Sequence, residues 1–286
     1  MHFPVMLEEA IRYLAVRPDG VFVDATAGLG GHTAAIADRL TSGMVIACDR
    51  DPESMEIARE RTASRAGRIR WVLSNFSQLR PALSQMGVNR VDGLLADIGV
   101  SRLHLTTPER GFSLQADGPL DMRMNRTEGP AAADLVNFSN EKALADLIYQ
   151  FGEERRSRRI ARAIVRARPL RSTRHLAEVI ESAVPRTGKL HPATQTFMAL
   201  RIAVNNELEE LDALLEAAPE LVAAGGRIVV ISFMSLEDRR VKQAFQGLAR
   251  EGRAEILTRH VVRPTEEEVA LNPASRSAKL RALEMR

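Results

Sequence analysis

The residues best suited to chemistry form a glycine-rich turn, Gly28-Leu-Gly-Gly-His32, which follows a short apolar run. Glycines let a backbone approach a ligand closely, and the segment after them, residues 31–41, is typical of a helix with free N–H groups at its start. A second apolar run ends in Asp49, whose carboxylate suits both hydroxyls of a ribose. A glycine turn followed by an acid at this spacing predicts a nucleotide-containing cofactor.

Two features of the turn indicate which cofactor. Residue 33 is Thr, so the turn departs from the Gly-x-Gly-x-x-Gly fingerprint of dinucleotide sites. Asp24 precedes the glycines, where it suits a ligand with an amino acid end and a cationic centre better than a pyrophosphate. The pattern therefore favours S-adenosylmethionine over NAD. Taken alone, the glycines are also compatible with a plain tight turn.

Two more candidates lie at the ends of predicted strands. Phe76 is placed to cover an adenine ring, although packing in the core at a helix start is the alternative. Asp97 follows the apolar run 94–96 and would lie where cofactor and target meet, although an acid here also suits a helix N-cap or a turn. We expect these residues, the glycine turn and Asp49 to converge, because carboxyl ends of parallel strands share one edge of a sheet.

The elements that would position these residues alternate between strand and helix. The first part of the chain predicts strands at 21–25, 44–49, 69–74 and 91–97, with helices at 31–41, 52–65 and 76–86. Between about 103 and 206 no strand is predicted, and amphipathic helices are expected at 131–136, 140–150, 153–167, 173–183 and 192–206. A strand at 227–233, a helix at 235–250 and strands near 255–262 and 278–285 follow. This alternation predicts a parallel α/β sheet with right-handed crossovers.

The simplest domain organisation is discontinuous. Residues 1–104 and 207–286 form a sheet domain that binds the cofactor, and residues 105–206 form an all-helical domain inserted after the fourth strand. Ligands of open α/β sheets bind at the carboxyl ends of the strands. A helical insertion that leaves from such an end is therefore expected to hold the substrate.

Charge points to a nucleic-acid substrate. The 286 residues carry a net charge of +3, but residues 153–168 alone contain seven arginines. Arginine is well suited to phosphate contacts. The alternative is a solvated helix face on which Glu153 and Glu154 pair with some of the bases. Aromatic residues make up only 4% of the chain, which does not favour an extended base-stacking platform.

Composition also limits location and chemistry. No apolar stretch reaches the roughly 18 residues that span a membrane, and the N-terminal segment has acids where a signal peptide has bases, so we expect a cytoplasmic protein. The single cysteine, Cys48, excludes internal disulfides and multi-cysteine zinc sites, and no metal is expected. Cys48 lies inside a strand and is interpreted as a small buried residue rather than a nucleophile.

Motifs along the whole chain occur in an order typical of one family. In chain order they are His2-Phe-Pro-Val-Met-Leu-Glu8, Asp24-Ala-Thr-Ala-Gly-Leu-Gly-Gly-His32, Asp49-Arg-Asp-Pro52, Asp97-Ile-Gly-Val-Ser101, Arg110-Gly-Phe-Ser113, Asp117-Gly-Pro-Leu-Asp-Met-Arg-Met124, Gly152-Glu-Glu-Arg155, His191-Pro-Ala-Thr194, Ala199-Leu-Arg-Ile-Ala-Val-Asn205, Ile231-Ser-Phe233, Ser235-Leu-Glu-Asp-Arg239 and Arg276-Ser-Ala-Lys-Leu-Arg281. Together they resemble the bacterial 16S ribosomal RNA cytosine-N4 methyltransferases, which act on the decoding centre of the small ribosomal subunit.

The resemblance implies a Rossmann-like class I methyltransferase sheet, S-adenosylmethionine as cofactor, and 16S ribosomal RNA of the small subunit as partner. The cofactor contacts of that family correspond here to Gly30, Gly31, His32, Asp49, Phe76, Asp97 and His104. Asp97 is the leading catalytic candidate, since an acceptor beside the target amine would help to localise the nitrogen lone pair.

Three positions depart from the family pattern: Arg102, where a second Ser is usual; His104, where Gln is usual; and Met234, where His is usual. These departures keep a second function open, a non-catalytic RNA-binding or ribosome-assembly factor on the same fold. An NAD-type Rossmann enzyme is the third alternative, which the glycine pattern and the arginine-rich insertion disfavour. The amphipathic surface of the insertion is also compatible with a homodimer.

Overall fold

The computed structural model describes residues 4–186, 188 and 190–286, so His2 and Phe3 of the first motif lie outside the described residues. The chain divides into two compact units. One comprises Met1–Gly99 and Leu208–Arg286, and the other comprises Val100–Glu207. No helix among the described residues is long and apolar enough to cross a membrane.

The first unit contains a seven-stranded sheet. Its strands are β1 (Val21–Asp24), β2 (Met44–Asp49), β3 (Ile69–Leu73), β4 (Val91–Asp97), β5 (Val222–Ser232), β6 (Ala254–Ile256) and β7 (Lys279–Met285). They are arranged in the order β3-β2-β1-β4-β5-β7-β6, and β7 runs antiparallel to the other six strands. The strand order reverses between β1 and β4, where ligands of open α/β sheets bind. The predicted fold, a Rossmann-like, mostly parallel α/β sheet with a helical insertion after the fourth strand, is confirmed.

Thirteen helices are found in the described residues. They are α1 (Leu7–Leu14), α2 (Gly31–Ala37), α3 (Pro52–Arg61), α4 (Leu79–Gln85), α5 (Arg102–Thr106), α6 (Ala132–Phe138), α7 (Glu141–Gly152), α8 (Ser157–Ala167), α9 (Thr173–Ala183), α10 (Thr194–Asn205), α11 (Glu207–Leu221), α12 (Ser235–Arg250) and α13 (Glu266–Leu271). Asp51 caps α3 by accepting hydrogen bonds from Glu53 N and Ser54 Oγ, and Pro52 occupies the first helical position, as the sequence predicts.

The central strands are buried on both faces of the sheet. Adjacent residues such as Leu94 and Leu95 in β4, or Ile228 and Val229 in β5, enter different apolar clusters because successive side chains of a strand point to opposite faces. This explains why these strands appear in the sequence as continuous apolar runs. The two clusters fix the strand ends on which the candidate site residues lie.

Several elements differ from the sequence-based expectations. Helices α1, α5, α11 and α13 were not predicted, and α3 ends at Arg61, where a short 3-10 segment replaces the expected last turn. Strand β5 begins at Val222 rather than 227, because a register shift against β4 accommodates Gly225-Gly226 within the strand. The strand expected at 255–262 is reduced to β6 and a single bridge between Val262 and Leu280.

The second unit has a core of its own, built from helices α6 to α10 and the preceding loop. Arg110, although a cation, is buried in it and donates hydrogen bonds from Nη2 to the carbonyl oxygens of Arg123 (3.2 Å) and Met124 (2.6 Å). Asn205 accepts from Met124 N and donates to Met122 O, both at 2.7 Å. Three of the sequence motifs are therefore bonded to one another here, and they shape the loop that precedes α6.

Candidate cofactor and catalytic site

Three carboxylates mark the edge of the sheet at which the strand order reverses. Asp24 is the last residue of β1 and lies opposite Ala47 in β2 and Leu95 in β4. Asp49 and Asp97 each lie two residues beyond those partners and end their own strands. The parallel register therefore brings together the ends of three strands that are far apart in sequence.

Asp49 holds the glycine turn against β2. Its Oδ2 accepts a hydrogen bond from Gly28 N at 2.7 Å, and its Oδ1 accepts one from Asp51 N at 2.9 Å. The side chain predicted to bind ribose therefore also shapes the loop that would surround the ligand.

The glycines of the turn serve different purposes. Gly30 has φ +86°, and a Cβ there would lie 3.0 Å from Thr62 Cγ2. Gly28 has φ +52°, but a Cβ on it would meet only Thr26 O, at 3.8 Å. Gly30 is thus required by conformation and by packing, whereas Gly28 is required by conformation and has an open side.

The segment 4–6 packs over the turn, a role that the sequence did not reveal. A Cβ on Gly31 would lie 2.7 Å from Pro4 Cγ, and Val5 O is 3.1 Å from His32 Nε2. Met6 N donates to Glu268 Oε1 at 2.7 Å. The first motif of the chain is thereby connected both to the glycine turn and to α13.

His32 is buried and uncharged at neutral pH. Burial lowers its pKa to about 4, and the hydrogen bond to Val5 O only partly opposes this. Its Nδ1 lies 3.9 Å from Asp97 Oδ2, which is too far for a hydrogen bond. Because the ring is neutral, this contact is not an ion pair, and His32 presents an uncharged face to Asp97.

Asp97 has an unsatisfied oxygen. Its backbone N donates to Thr26 Oγ1 at 2.6 Å, and its side chain is 21% exposed. Its Oδ1 is buried and has no hydrogen-bond partner in the described part of the chain. Burial raises the pKa of Asp97 well above its ordinary value, and the nearby carboxylates of Asp24, Glu237 and Glu268 raise it further. This oxygen is therefore open to a hydrogen bond from a bound ligand.

The surroundings of Asp97 favour a cation. Asp24 is fully buried, accepts from Thr33 Oγ1 at 2.6 Å, and has its pKa raised by burial to about 6. Glu237, at the start of α12, accepts from the backbone N–H groups of residues 233 and 234, both at 3.0 Å. The carboxylates around Asp97 and its unpaired Oδ1 would attract the positively charged sulfur of S-adenosylmethionine. Glu237 and Glu268 were not predicted as site residues; Glu237 lies in the motif Ser235-Leu-Glu-Asp-Arg239, whereas Glu268 lies in none of the sequence motifs.

Phe76 and His104 are in different settings. Phe76 begins a short 3-10 turn after β3, is half-buried, and packs against one of the apolar clusters of the sheet. His104 lies in the second unit, where its Nδ1 accepts from Ser101 N at 3.1 Å and its ring stacks on Phe112. The structure gives Phe76 a packing role and His104 a capping role in α5, and their cofactor contacts stay predictions.

Two other residues singled out in the sequence have structural explanations. Met234 is the N-cap residue of α12, and its backbone N–H, not its side chain, donates to Glu237. Cys48 is buried in β2, and burial, together with Asp24 and Asp49, raises the pKa of its thiol. A buried thiol with a raised pKa is not a nucleophile at neutral pH.

Known proteins resemble this chain along its whole length. The model of the MraW methylase family matches residues 1–286. A ribosomal RNA small subunit methyltransferase H from Solibacter usitatus is 64% identical over the full length of both chains, and one from Acidobacterium capsulatum is 53% identical over 99% of this chain and 98% of its own. Among solved structures, an rRNA methylase from Streptococcus thermophilus is 12% identical, with a TM-score of 0.47 over 100% of this chain and 99% of that chain. The chain belongs to the MraW methylase family, and the S-adenosylmethionine predicted from its glycine turn is its methyl donor.

Proposed function

We propose that this protein methylates the exocyclic N4 amine of one cytidine in the decoding region of 16S ribosomal RNA. The observation that carries the chemistry is the buried, unpartnered Oδ1 of Asp97 at the point where the strand order reverses. The substrate is supported by the two relatives of similar length, both named as small-subunit ribosomal RNA methyltransferases.

The residues of the sheet unit divide the work of holding the cofactor. Asp49 would accept from the ribose hydroxyls, Phe76 would cover the adenine, and Gly30, Gly31 and His32 would form the wall of the turn. Asp97 and its acidic neighbours favour the cationic centre. When bound, S-adenosylmethionine supplies a methyl group on a positively charged sulfur, which keeps the electron pair of the bond that breaks.

Asp97 is suited to the target amine because of how cytosine is built. The lone pair of the exocyclic nitrogen is delocalised into the ring, so an acceptor on an N–H group helps to return it to the nitrogen. As the N–C bond forms, one N–H proton must leave, and Asp97 Oδ1 is the acceptor we assign to it. The raised pKa makes Asp97 a stronger base than a solvated carboxylate, while the charge of the bound cofactor favours its ionised form.

The chemistry does not require a nucleophilic side chain. Methylation at carbon 5 of cytosine proceeds through a reactive cysteine, and Cys48 is the single cysteine of the chain, buried with a raised pKa. This favours the exocyclic amine over the ring carbon as the site of methylation. A base in folded RNA must be splayed out to reach such a site.

We assign RNA binding to the helical unit. The arginine-rich segment predicted from the sequence forms α8 and its flanks, and Arg158, Arg159, Arg162 and Arg166 are exposed on it. The alternative of pairing with Glu153 and Glu154 holds at one position, where Glu154 accepts from Arg156. Arg162 lies 3.4 Å from a different acid, Glu141. The other exposed arginines are suited to RNA phosphates.

The test is mass analysis of small-subunit RNA from cells with and without the protein. We expect one cytidine to lose one methyl group, with fragmentation that places the group on the amine rather than on the ring. Purified protein and S-adenosylmethionine should restore it on RNA from the deletion strain, and the Asp97→Asn protein should not. Unchanged RNA in the deletion strain, with RNA binding retained, would instead support the non-catalytic alternative.

A further inference from the structure

The most exposed large apolar side chain in the described part of the second unit belongs to Phe138, the last residue of α6. It is 81% exposed, so it contributes almost nothing to the core of its unit. Aromatic residues are scarce in this chain, at 4% of all residues. A single exposed apolar side chain is ordinary on a protein surface, so the residues that surround Phe138 decide what it can do.

The backbone on both sides of Phe138 is fastened to the C-terminal end of α8. The guanidinium of Arg168 donates from Nε to Val136 O at 2.7 Å and from Nη2 to Ser139 O at 2.6 Å. Both contacts are half-buried, which makes charge-assisted hydrogen bonds of this kind strong. The position of Phe138 is therefore set by an arginine of the same segment that carries the exposed positive charge.

Two further contacts hold the turn between α6 and α7 against α8 and the residues that follow it. Asn137 donates to Leu170 O at 2.9 Å and accepts from Leu170 N at 2.8 Å. Glu141, three residues after Phe138, lies 3.4 Å from Arg162. The turn between α6 and α7 is thus held beside α8 along its C-terminal half, and Phe138 stands on that turn.

The exposed arginines of α8 form one stripe. Arg158, Arg159, Arg162 and Arg166 fall within an arc of about 100° on a helix of 3.6 residues per turn and span about 12 Å along its axis. Of these, Arg158, Arg159 and Arg166 have no carboxylate partner in the part of the chain that the structure describes. The stripe is long enough to contact more than one phosphate of a strand.

We propose that Phe138 stacks on one unpaired base of the RNA substrate while the arginine stripe of α8 holds the phosphates beside it. Stacking on an aromatic ring is how proteins retain bases of single-stranded RNA, and one ring suffices for one base. Four neighbouring arginines favour a polyanion over a protein surface, and a single phenylalanine is too small for a stable protein interface. This inference rests on the proposed RNA substrate.

The test compares Phe138→Ala and Phe138→Trp with a matched control, Tyr149→Ala, which removes another exposed aromatic side chain of the same unit (59% exposed). The probes are 16S ribosomal RNA from the deletion strain and a fully paired RNA duplex. We expect Phe138→Ala to weaken binding of the ribosomal RNA about 5- to 100-fold and to leave duplex binding unchanged, whereas Phe138→Trp and the control retain wild-type affinity. The dependence of binding on salt should be unaffected by Phe138→Ala, because the substitution removes no charge.

The outcomes separate this inference from the proposed function. If wild-type protein methylates the RNA but Phe138→Ala binds it as tightly as wild type, the stacking role is wrong and the proposed function stands. Equal losses of affinity in Phe138→Ala and Tyr149→Ala would also overturn it, since the effect would not be specific to this position. A change of oligomeric state on gel filtration in Phe138→Ala would assign Phe138 to a contact between copies. Absence of RNA binding and methylation by wild-type protein would refute the proposed function itself.

Discussion

The edge of the sheet and the arginine stripe of α8 handle charge in opposite ways. At the sheet edge, charged and polar groups are buried or half-buried, and most of them are bonded to the protein itself, as Asp24 is to Thr33 and Asp49 to Gly28. On α8, most of the charge is exposed and Arg158, Arg159 and Arg166 have no acidic partner among the described residues. The first arrangement suits a small ligand with one cationic centre, and the second suits a long polyanion.

The energetic consequences differ accordingly. A buried polar group that loses its partner costs about 1–3 kcal/mol, so single changes at the sheet edge should have large effects. An exposed arginine contributes through screened interactions with phosphate, so single changes on α8 should be small, additive and sensitive to salt. Four experiments test this difference, beginning with the largest expected effect.

Asp97→Asn should lower the rate of methyl transfer most. The variant keeps the size of the side chain and one acceptor but loses the charge, so we expect the single-turnover rate to fall about 10²- to 10⁴-fold at saturating cofactor and RNA. Rapid-quench measurement of one turnover provides the rate, and calorimetry provides the affinity for S-adenosylmethionine. Full recovery of the rate at saturation would reduce Asp97 to a cofactor-binding residue.

Asp49→Ala should abolish measurable cofactor binding. Each hydrogen bond to a charged acceptor that the substitution removes costs about 1.5–3 kcal/mol, and both ribose hydroxyls are expected to use this carboxylate. Because Asp49 also binds Gly28 N and Asp51 N, the variant must be shown to fold, and Asp49→Asn serves as the control that keeps one acceptor oxygen. Unchanged affinity in a folded Asp49→Ala protein would show that the ribose lies elsewhere.

His32→Gln should make the protein less sensitive to acid. Burial lowers the pKa of His32 from 6.5 to about 4, so its contribution to stability is present above pH 6.5 and is lost as the pH falls towards 4. The loss is at most about 3 kcal/mol, and Gln keeps a donor for Val5 O. Urea unfolding of wild type and variant across this interval measures the difference.

The pH profile of the wild-type protein does not isolate His32, because Asp24 changes the free energy of unfolding with pH in the opposite sense. The His32→Gln variant is therefore needed. Its pKa is raised from 3.8 to about 6, so its contribution is present below pH 3.8 and is lost as the pH rises through 6. The two groups partly cancel in the wild-type profile, and the difference between wild type and His32→Gln isolates one of them. Parallel profiles for the two proteins would mean that His32 is not buried as a neutral ring.

The strand ends were predictable from the sequence, whereas the groups packed around them were not. Asp24, Asp49 and Asp97 each follow an apolar run, and a parallel sheet brings such ends to one edge. Glu268 reaches the site through a bond to Met6, 262 residues away in the chain, and no local pattern encodes such a pairing. Helix α1 was missed for a related reason: it has eight residues, and left-handed Met6 and Ala15 bound it instead of the usual capping residues.

The arginines of α8 also show what the sequence alone does not predict. Their number in the segment 153–168 was evident from the sequence, but not which of them are used within the fold. Arg156 donates to Glu154 and to Pro185 O, and Arg168 to Val136 O and Ser139 O, so these two are structural. Only the packing of α6 and α9 against α8 shows that Arg156 and Arg168 are structural while the arginines of the stripe are exposed.

Charge reversal on the stripe should have the smallest effect per residue, and its signature is the dependence on salt. Arg158→Glu removes a cation with no acidic partner among the described residues, whereas Arg162→Glu also places a second acid near Glu141. For each arginine that no longer neutralises a phosphate of single-stranded RNA, the slope of log affinity against log salt should flatten by about 0.7, and the pair should act nearly additively because both side chains are exposed. Filter binding of 16S ribosomal RNA at several salt concentrations measures the slope, with Arg61→Glu, an exposed position on α3, as the control for net charge.

Affinity for S-adenosylmethionine should not change in any of these variants. A slope equal to that of the control would mean that α8 is a solvated face. The exposed site for RNA, which we contrast with the buried site for the cofactor, would then lie on another surface of the helical unit.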